Sequence, residues 1–247
     1  MSANWPEAVG RVALPEIDST NAEGFRRGNG PVWILAGLQT AGRGRRARPW
    51  VSPRGNFHAT LVMHPVEAPE VVALRSFVAA LALREALLAV SGLSGSLALK
   101  WPNDVLLNGG KVAGILLEST GLGTKKPTLC IGIGVNLIAA PTLDAVETGA
   151  VPPVSLLAET GKRVTPEAFL DLLAPAYARL EATFATQGFP VLRHAWLDHA
   201  ARLGEVIRAR TGETVREGLF ETIDATGNLI LRMREGAVAI SAAEVFF

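Results

Sequence analysis

The chemistry in this chain of 247 residues concentrates where its arginines do. In "GRGRRARPW", Gly42 to Trp50, Arg43, Arg45, Arg46 and Arg48 stand together; Arg54 follows, and no acid lies between Gln39 and Arg54. The planar guanidinium fork suits phosphate and carboxylate, and several forks can hold both at once. Gly42 and Gly44 loosen the backbone and like charges repel. Such a loop is expected to be poorly ordered until an anion arrives. Taken alone, it is as readily a clasp for phosphate as a solvated basic loop or a nucleic-acid patch. The latter wants interleaved aromatics and further basic stripes, and only Trp50 and Phe57 lie nearby.

Three other stretches hold polar groups that composition does not explain. "LKWPNDVLLNGGKVAGILLE" (99–118) embeds Lys100, Asn103, Asp104 and Lys111 in strand-like apolar sequence. Lys111 opens the return strand of a hairpin, near Gly114. There a lysine is either a solvated edge charge or a fixed cation aimed at an anionic ligand. In "EIDSTNAEGF" (16–25), Thr20 and Glu23 fit a capping box. Ser19 and Asn21 are not explained by it, and small polar side chains beside a helix N-terminus suit a neutral polar ligand. Asn136 ends the apolar run "GIGVNL" and needs a partner, either a turn or a ligand. His58, His64, His194 and His199 show no metal-ligand spacing. No P-loop, nucleophile elbow or dinucleotide-binding fingerprint is present.

Mixed α and β elements must position these groups. Strands are expected at 32–38, 56–64 and 128–137, with a hairpin across 104–118 turning at Asn108-Gly109-Gly110. A core-facing helix is expected over about 68–91, its apolar positions recurring at helical spacing. A short helix follows Pro152-Pro153, capped by Ser155 and stopped by Gly161. A longer one starts at Thr165-Pro166-Glu167, ends by Gly188 and is expected to kink at Pro175; another covers 190–200. From Glu205 the pattern changes to five short strands, the size of a small SH3-like β-barrel. A boundary near 200–204 divides the chain into 1–202 and 203–247.

Composition excludes several classes. Lys plus Arg is 24 and Asp plus Glu is 23, a balance that argues against a nucleic-acid or anionic-membrane coat. Hydrophobic residues are 49%, enough for a substantial core. The one cysteine, Cys130, cannot pair internally and reads as a small buried hydrophobe, which fits a cytoplasmic setting. "MSANWPEAVGRVALPE" has no apolar signal core, and Arg75, Arg84 and Glu85 interrupt the most apolar stretch, against a membrane span.

In their order and separation these stretches resemble the biotin protein ligase family (biotin–[acetyl-CoA-carboxylase] ligase). The matching segments are "DSTN" (18–21), "QTAGRGRRARPW" (39–50), "SPRGN" (52–56), "KWPNDVLLNGGKVAGILLE" (100–118), "GIGVN" (132–136) and the ending "EVFF". The resemblance implies an α+β fold, with a class II synthetase-like mixed sheet before the small barrel. It implies an enzyme joining biotin and ATP, with Mg²⁺, into biotinyl-5′-AMP, then passing biotin to a lysine of a carboxylase's biotin carboxyl carrier domain. By the same resemblance Ser19, Thr20, Asn21 and Gln39 line the biotin pocket. Gly42, Arg43, Gly44 and Arg45 form the binding-loop core, Arg45 reaching phosphate and Arg43 holding the loop near the biotin carboxylate. Lys111 bridges carboxylate and α-phosphate. Arg46, Arg48 and Trp50 order the loop, with Trp50 over the ligand. Asn103 and Asn136 lie on the nucleotide side with Arg43, Arg45, Arg46, Trp50 and Lys111. Asp104 orients Lys111, helps hold metal, or manages the acceptor lysine's proton.

Members commonly have glycine where Ala47 stands, so a positive φ there would strain this loop. Some members carry an N-terminal DNA-binding domain; about 18 residues precede the "STN" here, too few for one, so no specific DNA binding is expected. Family members are often homodimers through the central sheet. Rival readings are a lipoate–protein ligase on the same fold and a non-catalytic biotin sensor.

Overall fold

A computed structural model describes residues 4–143, 146, 147 and 149–247. Its larger sheet has seven strands: β1 (Gly10–Leu14), β2 (Val32–Ala36), β3 (Phe57–Met63), β4 (Leu97–Lys100), β5 (Asp104–Leu107), β6 (Gly110–Thr120) and β7 (Thr128–Val135). They lie in the order β1-β2-β3-β7-β6-β5-β4, antiparallel except for the parallel β1–β2 pair. The expected strands and hairpin are present; β1 and β4, at the two edges, were not foreseen as separate strands.

Side chains alternate across this sheet with period two, and the two faces differ in kind. Trp33, Leu35, Phe57, Ala59, Leu61, Ile131, Ile133 and Val135 point to one face, where they form the main core. Against them pack α3 (Arg75–Ser91) and α5 (Pro166–Gln187). The opposite face carries a small cluster, Val32, Ile34, Val62 and Cys130, touched by Phe25 of α1 (Thr20–Arg27). Beyond Cys130, β7 continues on that face with Gly132 and Gly134. Two glycines in register leave a floor with no side chains on it. Burial pushes the Cys130 thiol up to about 12, so it stays an inert core group.

The helix expected over 68–91 is two: α2 (Pro69–Ala73) and then α3. Arg75 begins α3 and is buried, held by Glu67 at 2.7 Å and Glu181 at 2.8 Å. Both helices after 152 start as expected, with Ser155 capping α4 (Leu156–Thr160) and Thr165 capping α5. α5 runs on through Pro175 to Gly188 as one helix. α6 (Phe189–Leu197) follows at once.

The C-terminal strands are β8 (Val206–Thr211), β9 (Thr214–Ile223), β10 (Leu229–Met233), β11 (Gly236–Ile240) and β12 (Glu244–Phe246). They form an antiparallel sheet in the order β11-β10-β9-β8-β12. The expected barrel is thus corrected to an open sheet, because among the described residues no ladder joins β11 to β12. The sheet leans on the first domain. Trp101 Nε1 donates to Gly227 O at 3.0 Å, and Arg193 of α6 donates to Thr222 Oγ1 at 2.9 Å. A Cβ at Gly227 would lie 2.9 Å from Phe77. Phe77 also meets Trp196 edge-on at 5.4 Å. Truncating this buried indole should leave a cavity beneath the second sheet. We expect Trp196→Ala to lose about 3–5 kcal/mol of stability, read by urea unfolding.

Candidate active site

A cleft of about 580 Å³ opens on the glycine floor, between the large sheet and the last strand of the second sheet. Ser19, Thr20, Asn21, Gln39, Arg43, Gly44, Arg45, Trp50, Asn103, Asp104, Lys111 and Asn136 all line it. Its two ends have opposite chemistry.

One end is neutral and built from hydrogen bonds. Ser19, not Thr20, is the N-cap of α1: its side chain accepts from Ala22 N at 3.4 Å. The expected capping box at Thr20 and Glu23 is therefore corrected. Glu23 instead pairs with Arg26 and Arg27, both at 2.8 Å. Thr20 becomes free to face the cleft. Its N–H and Oγ1 both donate to Gln39 Oε1, at 2.8 and 3.0 Å. Gln39 Nε2 donates to Ser52 Oγ at 3.1 Å. Asn21 Nδ2 donates to Glu118 Oε2 at 2.7 Å, and the carboxamide lies over Gly132, where a Cβ would come within 2.5 Å of it. Thr60 on β3 stands 2.8 Å from Thr20 Oγ1 and 2.6 Å from Asn21 Oδ1. Thr60 and Glu118 were missed in the sequence. Period two places both on the cleft face once β3 and β6 are paired to β7.

The other end is cationic. Lys111 Nζ lies 2.7 Å from Asp104 Oδ1, and Lys100 Nζ lies 3.9 Å from Asp104 Oδ2. The Lys111 contact is one of charge, since it lacks the angles of a directed hydrogen bond. The β5–β6 turn sets this up: Asn108 (φ 50) and Gly109 (φ 81) make the tight hairpin that puts Lys111 beside Asp104. A Cβ at Gly114 would come within 3.2 Å of the Trp50 ring, so the glycine leaves room for the indole beside Lys111. Arg45 is half-buried and donates to Ala243 O at 3.3 Å; burial lowers its pKa, with Asp104 opposing. Asn103 Nδ2 donates to Ile115 O at 2.6 Å and Asn136 Nδ2 to Val154 O at 3.1 Å. Asn136 is thus tied to a neighbouring segment and still lines the cleft.

The arginine loop closes over the cleft as a small turn, with Trp50 N donating to Gly42 O at 2.9 Å and Gly44 N to Arg48 O at 2.8 Å. Gly42 is obligatory: a Cβ would lie 2.7 Å from Ser52 Oγ and 2.9 Å from Trp50 O. Both Arg46 (φ 57) and Ala47 (φ 56) are left-handed, so the strain foreseen at Ala47 is there. Trp50 rests on the glycine floor, where a Cβ at Gly134 would be 2.5 Å from the indole. The chain itself supplies carboxylates to the loop. Arg43 meets Glu118 at 3.2 Å, Arg46 meets Glu244 at 2.8 Å and Arg48 meets Glu147 at 2.9 Å. Arg48 and Arg210 also bind Glu244. Burial would raise the Glu244 carboxyl, but Arg210, Arg48 and Arg46 outweigh it and hold the group below its ordinary 4.5. The tie is therefore intact above that ordinary value and is lost only as pH falls through the lowered pKa of the folded state.

Among the described residues no three His, Cys, Asp or Glu side chains converge on a metal position. No helix among them is long and apolar enough to cross a membrane.

The biotin/lipoate A/B protein ligase family matches residues 14–136, and the biotin protein ligase C-terminal domain matches residues 203–247. The biotin–[acetyl-CoA-carboxylase] ligase of Paracoccus denitrificans is 57% identical over 95% of this chain and 99% of its own length. The bifunctional ligase/repressor BirA of Bacillus subtilis is 29% identical over 86% of the chain and 65% of that protein. In structure, the biotin protein ligase of Aquifex aeolicus in complex with biotin and ATP aligns with a TM-score of 0.81 at 25% identity. That alignment covers 96% of this chain and 97% of the other.

The carboxylate tie gives a test independent of any ligand. Glu244→Gln should free Arg46 and leave Arg48 on Glu147 alone, and trypsin should cut after Arg45 and Arg46 several-fold faster than in the parent.

Proposed function

The chain belongs to the biotin protein ligase family, and from that premise we propose how its cleft activates biotin with ATP and passes it to a carrier-domain lysine. The observation that carries the reading is the cleft's polarity. A neutral hydrogen-bonding pocket over Gly132 lies at one end, and Lys111, Lys100 and Arg45 around Asp104 lie at the other. Biotin has the same polarity, a neutral ureido ring and a carboxylate tail.

In the first step the biotin carboxylate attacks the α-phosphorus of ATP, and pyrophosphate leaves. Two like charges about 4 Å apart repel by roughly 4 kcal/mol at an effective dielectric of about 20. Lys111 and Arg45 lie where they can offset that repulsion and meet the charge that grows on phosphorus. Ser19, Thr20, Asn21 and Gln39 hold the ureido ring. Arg43, between Gly42 and Gly44, anchors the lid through Glu118. Trp50, Asn103 and Asn136 flank the nucleotide. Of the three roles open for Asp104, its 2.7 Å contact with Lys111 favours orienting that lysine. Among the described residues no three-ligand cluster forms, and a Mg²⁺ ion carried in on the triphosphate would be held by Asp104, supplying charge neutralisation there. In the second step the acceptor amine attacks the acyl carbon, AMP departs with the bonding pair, and the new nitrogen loses its proton.

The acceptor is a biotin carboxyl carrier domain of a carboxylase, consistent with the name of the Paracoccus relative. Biotin, and not lipoate, should support exchange of labelled pyrophosphate into ATP. Lys111→Ala should abolish it, and retained exchange would remove Lys111 from the chemistry. Between the steps the lid shields the mixed anhydride from water. Ala47→Gly relieves the left-handed alanine by about 0.5–1 kcal/mol net. Escape of biotinyl-AMP, followed with radiolabelled biotin, should slow roughly two- to fivefold; equal rates would show that the strain is not felt in closure.

A further inference from the structure

Lys100 stands apart from every role assigned so far. It ends β4, is 9% exposed, and still reaches the cleft wall. Its Nζ lies 3.9 Å from Asp104 Oδ2, on the carboxylate oxygen that Lys111 does not use. On its other side the ammonium sits over the Phe247 ring at 5.6 Å. Burial lowers its pKa; Lys111 and Arg45 push the same way, while Asp104 and Glu244 oppose.

Lys100, Lys111 and Arg45 thus face Asp104, while the second acid, Glu244, is already held by Arg46, Arg48 and Arg210, and a local excess of positive charge remains in a partly desolvated wall. Such an excess is stable only where a multivalent anion completes it. An incoming ammonium would be repelled, so the surplus does not fit a role in receiving the acceptor lysine. A phosphate monoester facing Lys111 and Arg45 leaves Lys100 over, one carboxylate's width further along.

We propose that Lys100 binds the β- and γ-phosphates of ATP and receives the charge of the departing pyrophosphate; this rests on the ligase reading above. The carboxylate oxygen forms its bond to the α-phosphorus, and the bond from that phosphorus to the α–β bridging oxygen breaks. The bonding pair leaves on that oxygen, toward the Lys100 ammonium. Lys100 keeps its proton throughout. Asp104 then has a second duty, since it holds two ammonium groups at once, one for each side of the bond that breaks.

The two half-reactions separate this role from its rivals. Lys100→Gln should lower biotin-dependent exchange of pyrophosphate into ATP by ~10²–10³-fold. It should raise the KM for both ATP and pyrophosphate. Transfer from purified biotinyl-AMP to a carrier domain should change less than about threefold. Lys100→Arg should recover part of the exchange, which a purely structural lysine would not explain at an unchanged thermal midpoint. Unaltered exchange, or transfer lost as severely as exchange, would overturn the proposal; intact exchange with lost transfer would assign Lys100 to the acceptor amine instead. In the unmodified protein, pyrophosphate should protect Lys100 from acetylation by acetic anhydride, scored by peptide mass spectrometry. Biotin alone should give no such protection. Equal acetylation with and without pyrophosphate overturns the proposal even if the variants fail to fold. If the unmodified protein showed no biotin-dependent exchange while pyrophosphate still protected Lys100, the ligase reading would fail and the anion site would stand.

Discussion

Positive charges that act together on one ligand must first tolerate one another. In one cleft this chain gathers Arg43, Arg45, Arg48, Lys100 and Lys111, with Arg46 beside it on Glu244. At a few ångströms, each uncompensated pair costs on the order of 4 kcal/mol at an effective dielectric near 20. Such a site would push itself apart. The chain sets a carboxylate against nearly every cation, each from a different element. Asp104 on β5 takes Lys111 and Lys100, and Glu118 on β6 takes Arg43. Glu244 on β12 and Glu147 take Arg46 and Arg48. Arg45 has no paired carboxylate, only the more distant charges of Asp104 and Glu244 and a backbone carbonyl.

This arrangement depends on the alternation of the large sheet. Because β3, β6 and β7 send every second residue to the core, the other face is free for a site without loss of packing. Gly132 and Gly134 then do what no other residue could: Asn21 lies on one and Trp50 on the other, each at a distance that a Cβ would forbid. The planes of the Asn21 carboxamide and the Trp50 indole are thus laid directly on a hydrogen-bonded backbone.

Much of this was legible in the sequence. The strands at 32–38, 56–64 and 128–137, the Asn108-Gly109 turn and the caps at Ser155 and Thr165 are local rules obeyed locally. The site residues were legible because their polarity contradicts their apolar surroundings, as with Asp104 and Lys111. What failed was non-local. Thr20 and Glu23 satisfy a capping pattern, yet Ser19 takes the cap because Thr20 is needed by Gln39 and Thr60 across the sheet. Thr60 and Glu118 look like ordinary strand residues until the register of β3 and β6 on β7 is known. Five strands suggested a barrel, but closure depends on pairings between strand ends that no local pattern records.

The partners of the arginine loop also explain why a small second sheet travels with the larger domain. β12 is three residues long and adds little to any core beyond Val245. Its energetic significance lies in Glu244 and the Ala243 carbonyl, which hold Arg45, Arg46 and Arg48 from above while the large sheet lies below. Arg210 of β8 joins the same carboxylate and fixes its direction. A lid anchored on one domain and latched to another moves only if the latch lets go. The left-handed turn at Arg46 and Ala47 lies between these ties, so the strained point of the loop is also the point that the second sheet holds.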